Sequence, residues 1–138
     1  MPSDLQALGR AVKQAQYRHH RALDRALTGV GATLAQWDAL RAIAREPGSS
    51  ARALAEETFQ SEQAFGTLAN RLAARGLIDR TAGHGRTIEH RLTATGAQVL
   101  AAGNRVADEV LADSFVDLSA AEHITLLNLL LRVGIRTE

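Results

Sequence analysis

Residues 50–93 read SARALAEETFQSEQAFGTLANRLAARGLIDRTAGHGRTIEHRLT, and few folds accept that order of signals. Two short helical patterns lie close together. Ser49 or Ser50 caps the first, with Leu54 and Ala55 turned inward, and Ser61 caps the second. In the second, Ala64, Phe65, Leu68, Ala69 and Leu72 repeat at helical spacing, and Gly76 ends the pattern. Two strand-like runs follow, LIDRT and TIEHRLT, joined by a turn at Ala82, Gly83, His84 and Gly85. Helix, turn, helix and a hairpin with an arginine near its tip predict a winged helix-turn-helix. That architecture sets one helix in a DNA major groove with a hairpin beside it.

The flanks are helical. Leu5, Leu8, Val12, Ala15, His19, Ala22 and Ala26 alternate in steps of three and four, a seam predicting one helix over about 4–28. A second helix starts at the cap Thr33 and stops at Pro47 and Gly48. Beyond the hairpin, a long helix is expected from Thr93 to Phe115. A last one, EHITLLNLLLRVGI, is capped by Ser119 and Glu122 and is apolar almost all round. Such a helix must be covered on several sides, which predicts pairing with a second copy. The division is therefore 1–32 for an N-terminal dimerisation helix, 33–93 for the winged head and 94–138 for C-terminal dimerisation helices. The class is mainly α with a small β-hairpin.

The chain has no cysteine, which excludes disulfides, thiol redox chemistry and thiolate metal sites. MPSDLQALGR lacks the apolar core of a secretory signal, and no apolar run is long enough to span a bilayer, so a cytoplasmic protein is expected. Net charge is +1, but residues 1–48 carry seven basic and four acidic groups and residues 93–138 three and six. All basic residues except Lys13 are arginines, and Arg71, Arg75, Arg80, Arg86 and Arg91 fall within one short segment. Arginine suits bidentate contacts to phosphate and guanine; the competing reading is a solvated charged face. No nucleophile–base arrangement or phosphate loop is visible, so neither enzyme activity nor a cofactor is expected.

On the second head helix, Ser61, Gln63, Thr67 and Arg71 are the candidate DNA readers. Glutamine can read adenine, and threonine a thymine methyl. Glu62 would repel phosphate and reads equally as an N-terminal helix charge. On the hairpin the candidates are His84, Arg86 and Arg91, since an arginine at a hairpin tip fits a narrow minor groove. Gln16, His19 and Trp37 are candidates for a ligand pocket beside the first helix. The alternatives are a core or interface histidine and a core tryptophan. His19 and His20 point about 100° apart and cannot share a metal, and no metal site is expected.

These pieces resemble the MarR (multiple-antibiotic-resistance regulator) family in order and register. Leu34, Gln36, Trp37 and Leu40 match its pattern on the second helix. Leu54-Ala55, Arg71-Leu72 and Arg75-Gly76-Leu77-Ile78-Asp79-Arg80 match its head, and Leu92-Thr93 with Gly96 matches the motif after the wing. Where the family carries Asp-x-Arg before the second wing strand, this chain has His84 and Arg86. Between the head helices it has Thr58-Phe59-Gln60, with Phe59 expected to pack. The resemblance implies an obligate homodimer, two heads on a pseudo-palindromic double-stranded DNA operator, and a repressor role. For many members it implies release of DNA by a small aromatic or phenolic ligand. The competing function is a winged-helix module for protein interaction that never touches DNA. Outward arginines favour DNA; an apolar outer face on the fourth helix favours a protein.

Overall fold

The computed structural model describes residues 4–134. Its order is α1 (Leu5–Thr28), α2 (Leu34–Arg45), α3 (Ala51–Glu57), α4 (Glu62–Ala74), β1 (Ile78–Ala82), β2 (Ile88–Leu92), α5 (Ala94–Ser114) and α6 (Ala120–Leu131). Every helix starts on a side-chain cap, from Asp4, Thr33, Ser50, Ser61, Thr93 and Ser119 in turn. Each cap satisfies a backbone N–H that the first helical turn leaves without a partner. Thr33 with Gln36, and Ser119 with Glu122, form reciprocal capping boxes. The hydrogen bonds from Ser119 hold the Glu122 carboxyl below its ordinary pKa.

Two cores share α2. Ala39, Leu40 and Ile43 pack with Leu54 of α3, with Phe65, Ala69 and Leu72 of α4, and with Leu77 and Ile78. Trp37, on the same helix, joins Leu23 and Leu27 of α1 and Ala107 of α5. A shift of α2 must therefore disturb both packing units. Arg75 adds a clasp from the end of α4: its guanidinium donates to Gln36 Oε1 at 3.0 Å and to the Gly31 carbonyl at 2.7 Å.

β1 and β2 pair antiparallel, from Ile78 opposite Leu92 to Ala82 opposite Ile88. On its other edge β2 is met by the segment before α3. Gly48 N–H donates to the His90 carbonyl at 2.9 Å, and His90 N–H to the Ser49 carbonyl at 3.1 Å. The His90 ring is buried, 2% exposed, with Nδ1 2.9 Å from that same carbonyl and its edge on Phe65. A carbonyl cannot donate, so Nδ1 carries the proton. His90 is thus a structural rivet between the hairpin and the front of α3.

Phe59 departs from the expectation that it packs. It is 96% exposed and adopts φ 59°. The reason lies in the backbone. Gln60 N–H donates to the Ala55 carbonyl and Phe59 N–H to the Glu56 carbonyl, the pair of bonds that closes a helix through a left-handed residue, usually glycine. A phenylalanine there is strained by about 1 kcal/mol or more and gains nothing from burial. Phe59→Gly is expected to stabilise the protein by about 1 kcal/mol. A thermal melt should rise by a few degrees; an unchanged or lower midpoint would show that the turn stores no such strain.

Candidate nucleic-acid interface

α4 buries Phe65, Ala69 and Leu72 and turns Gln63, Thr67, Asn70 and Arg71 to solvent on the opposite side. Those four recur at i, i+4, i+7 and i+8, one line along the helix. Ser61 Oγ accepts the Ala64 N–H at 3.0 Å as the cap, which leaves its hydroxyl proton free for an outside acceptor. Thr67 Oγ1 donates to the Gln63 carbonyl at 3.3 Å, so the group left for a partner is its methyl. The outer face is polar, with Ala64 and Ala74 the only exposed apolar side chains on the helix.

The five arginines of the segment separate by partner. Arg75 is the clasp already described. Arg80, on β1, donates to Asn70 Oδ1 at 2.7 Å and braces the hairpin against α4. Arg91 pairs with Glu89 at 2.9 Å on the face of β2 opposite His90. Among the described residues, Arg71 and Arg86 make no ion pair or side-chain hydrogen bond. Both are exposed, one on α4 and one on the hairpin loop. His84 is also exposed, and its carbonyl accepts the Thr87 N–H at 3.2 Å to fold the five-residue tip. Gly85 at the tip has φ 64°. Ser61, Gln63, Thr67 and Arg71 therefore share one helix face, and His84 and Arg86 share one loop. Arg91 stands on β2, its side chain half-exposed in the pair with Glu89.

The three pocket candidates are not brought together within the chain. Gln16 is exposed. His19 is half-buried, edge-on to Phe115 at 5.0 Å between ring centres. Trp37 is buried beside Gly103, donates from Nε1 to Asn104 Oδ1 at 3.0 Å and lies 4.4 Å beneath the Arg41 guanidinium. Gly103 and Phe115 are twelve positions apart, about 18 Å of helix. Trp37 instead adjoins an open cleft of 320 Å³ between α2 and α5, lined by Arg41, Ala44, Arg45, Leu100 and Asn104. None of these lining residues was singled out from the sequence, although the four-residue step from Trp37 to Arg41 permits a cation over the ring. Burial pushes the nearby Asp38 carboxyl above its ordinary pKa, against the opposing pull of Arg41. Among the described residues no helix is long and apolar enough to cross a membrane.

A model of the MarR family matches residues 30–87 of the chain. A protein described as a probable transcriptional regulator of Pseudomonas aeruginosa is 30% identical, with a TM-score of 0.81 over 90% of this chain and 94% of that one. A MarR family protein of Mycobacterium tuberculosis, solved in complex with salicylic acid, is 26% identical, with a TM-score of 0.75 over 92% and 96% of the two chains. A mutant MarR of E. coli, solved with operator DNA, superposes with a TM-score of 0.87 over 96% of each chain. At 21% identity that likeness is one of fold. No curated protein sequence matches the chain.

Proposed function

The chain belongs to the MarR family of transcriptional regulators, and from that premise we propose that it is a homodimeric, sequence-specific binder of double-stranded DNA. In this reading it represses transcription from a pseudo-palindromic operator and is released by a small aromatic acid. The observation that carries the DNA reading is the outer face of α4: Gln63, Thr67 and Arg71 are exposed and in line, beside a hairpin whose tip arginine, Arg86, has no partner among the described residues. An apolar outer face would have favoured a protein partner. Gln63 and Thr67 read base edges, Ser61 and Arg71 hold phosphate, and Arg86 enters the minor groove with His84 beside it. Arg91, half-exposed in its pair with Glu89, supplies a further phosphate contact from β2.

Dimerisation follows from apolar surface that one chain leaves open. α6 buries none of its side chains, and Leu5, Leu8 and Val12 of α1 are exposed as well. The effector reading moves from Gln16 and His19 to the cleft beside Trp37. Arg41 and Arg45 suit a carboxylate there, and Leu100 an aromatic ring. The salicylic acid complex of the M. tuberculosis relative supports that ligand class. A ligand bound between α2 and α5 lowers DNA affinity only if it favours the arrangement of the two cores that DNA does not.

Arg86→Ala tests the wing. Binding should weaken on every DNA sequence alike. The slope of log affinity against log salt should shrink by about 1 per wing, about 2 per dimer. Unchanged affinity and slope would remove the wing from the interface.

A further inference from the structure

α1 carries a second charged surface that the operator reading does not use. Arg10, Lys13, Arg18, Arg21 and Arg25 are all exposed, against a single carboxylate within the helix, Asp24. Asp24 is turned away, accepting the Leu34 N–H at 2.8 Å, and Asp4 before the helix is likewise engaged on the Ala7 N–H at 3.0 Å. Four arginines of the other elements find acids: Arg41 with Asp38, Arg45 with Glu57, Arg52 with Glu56 and Arg91 with Glu89. Among the described residues no cation of α1 has such a pair. At 100° per residue, Arg10, Arg18, Arg21 and Arg25 span about 80° of the circumference, on the side opposite the buried Leu23 and Leu27. Lys13 sits on the flank. Arg18 and Arg21, and Arg21 and Arg25, are like charges one turn apart, an arrangement that destabilises a lone helix. Tyr17 lies within the stripe, its hydroxyl accepting from Arg21 at 3.0 Å and its ring 5.7 Å from the guanidinium.

We infer that this stripe is a second, sequence-independent binding surface for duplex DNA, separate from the winged heads. Charge complementarity names a polyanion. Arginine in four of five places favours phosphate over a general attraction to negative charge. From Arg10 to Arg25 the stripe runs about 22 Å, the length of several successive phosphates on one strand. A membrane surface fits less well. An interfacial helix needs its apolar face for lipid, and here that face holds Leu23 and Leu27 in the core. The apolar positions Leu5, Leu8 and Val12 fall on that same side, so dimerisation leaves the stripe free. The stripe would hold DNA flanking the operator, or a second duplex. The inference rests on the proposed function only in that the heads deliver the first duplex.

The test compares the full-length dimer with two variants. One replaces all five cations by glutamine; the other is Arg10→Gln with Arg18→Gln, two side chains that make no hydrogen bond or ion pair among the described residues. Circular dichroism and sedimentation establish fold and dimer. Each protein is titrated with a duplex of about 20 base pairs carrying the selected operator, and with a random duplex of about 200 base pairs. The short operator should bind within about twofold of the parent. On the long duplex the five-fold variant should lose at least about tenfold in affinity, and its salt slope should shrink by about 3 or more. The double variant should fall between. Equal binding of the long duplex by all three proteins overturns the inference. So does an equal loss on both duplexes, which would place the stripe within the head's own contact. Loss of binding to phosphatidylserine vesicles with long-DNA binding intact would also overturn it, in favour of a membrane. If the parent shows no sequence preference but the stripe variants still lose long-DNA affinity, the head reading fails and this one stands.

Discussion

Leu127→Asp is expected to abolish the dimer, and with it operator binding. Leu127 is 56% exposed in the single chain, within an α6 whose Ile124, Leu129, Leu130 and Leu131 are also open to solvent, as is Val133 just beyond it. Polar side chains interrupt that surface only at Thr125, Asn128 and Arg132. Apolar surface this continuous is covered in an obligate interface, which commonly buries more than about 2,000 Å². An aspartate placed there is an unpaired buried charge in each protomer, costing about 3 kcal/mol or more apiece. Two of them raise the dimer dissociation constant by roughly four powers of ten. Sedimentation velocity at micromolar concentration should show monomer or unfolded chain. A parent protein that sediments as a folded monomer, or a variant that stays dimeric, would remove the interface from α6.

Gly96→Ala should be the most damaging glycine-to-alanine change among the described residues. Gly96 lies in the first turn of α5, and a Cβ there would run into the Leu77 carbonyl oxygen. That oxygen cannot yield freely, because it accepts the Thr93 N–H at 3.1 Å. Thr93 is itself fixed. Its hydroxyl donates to the Gly76 carbonyl at 2.6 Å and accepts the Gly96 N–H at 3.0 Å. The end of α4, the start of β1 and the start of α5 thus meet at one hydrogen-bonded joint. Forcing it open should cost about 3 kcal/mol and lower the melting temperature by roughly 10 °C. DNA affinity should fall with it, since the joint sets the hairpin beside α4. A melting temperature within a degree of the parent would mean that the joint has slack.

The joint also shows what was legible beforehand and what was not. The Leu92-Thr93…Gly96 pattern, the caps at Thr33, Ser61 and Ser119, and the glycine-rich hairpin turn were all readable, because each is decided within a few residues. His90 was not. Its partner is the Ser49 carbonyl 41 positions away, and a histidine in an alternating strand gives no sign of burial. The five head arginines were visible as a cluster, but their sorting was not. Whether Arg75 reaches Gly31, or Arg80 reaches Asn70, depends on how separate elements cross. Phe59 failed for a different reason. Hydrophobicity argued for packing, whereas the hydrogen bonds that close α3 set its backbone and turned the ring outward. His19 and Trp37 were each placed on an apolar face, as found. An apolar face does not say at which level two side chains meet a third helix: Trp37 reaches α5 at Gly103 and His19 reaches Phe115 at its end.

Selection of binding sites from random duplex DNA, run in parallel for the parent and for Gln63→Ala, tests the central claim most directly. The parent should enrich a pseudo-palindrome whose half-sites lie about one helical turn apart, as two heads of one dimer require. Gln63→Ala should enrich the same spacing but lose preference at one position in each half-site, worth about 1–3 kcal/mol. No enriched sequence for the parent, or identical consensus sequences for both proteins, would contradict the account of α4 as the helix that reads DNA.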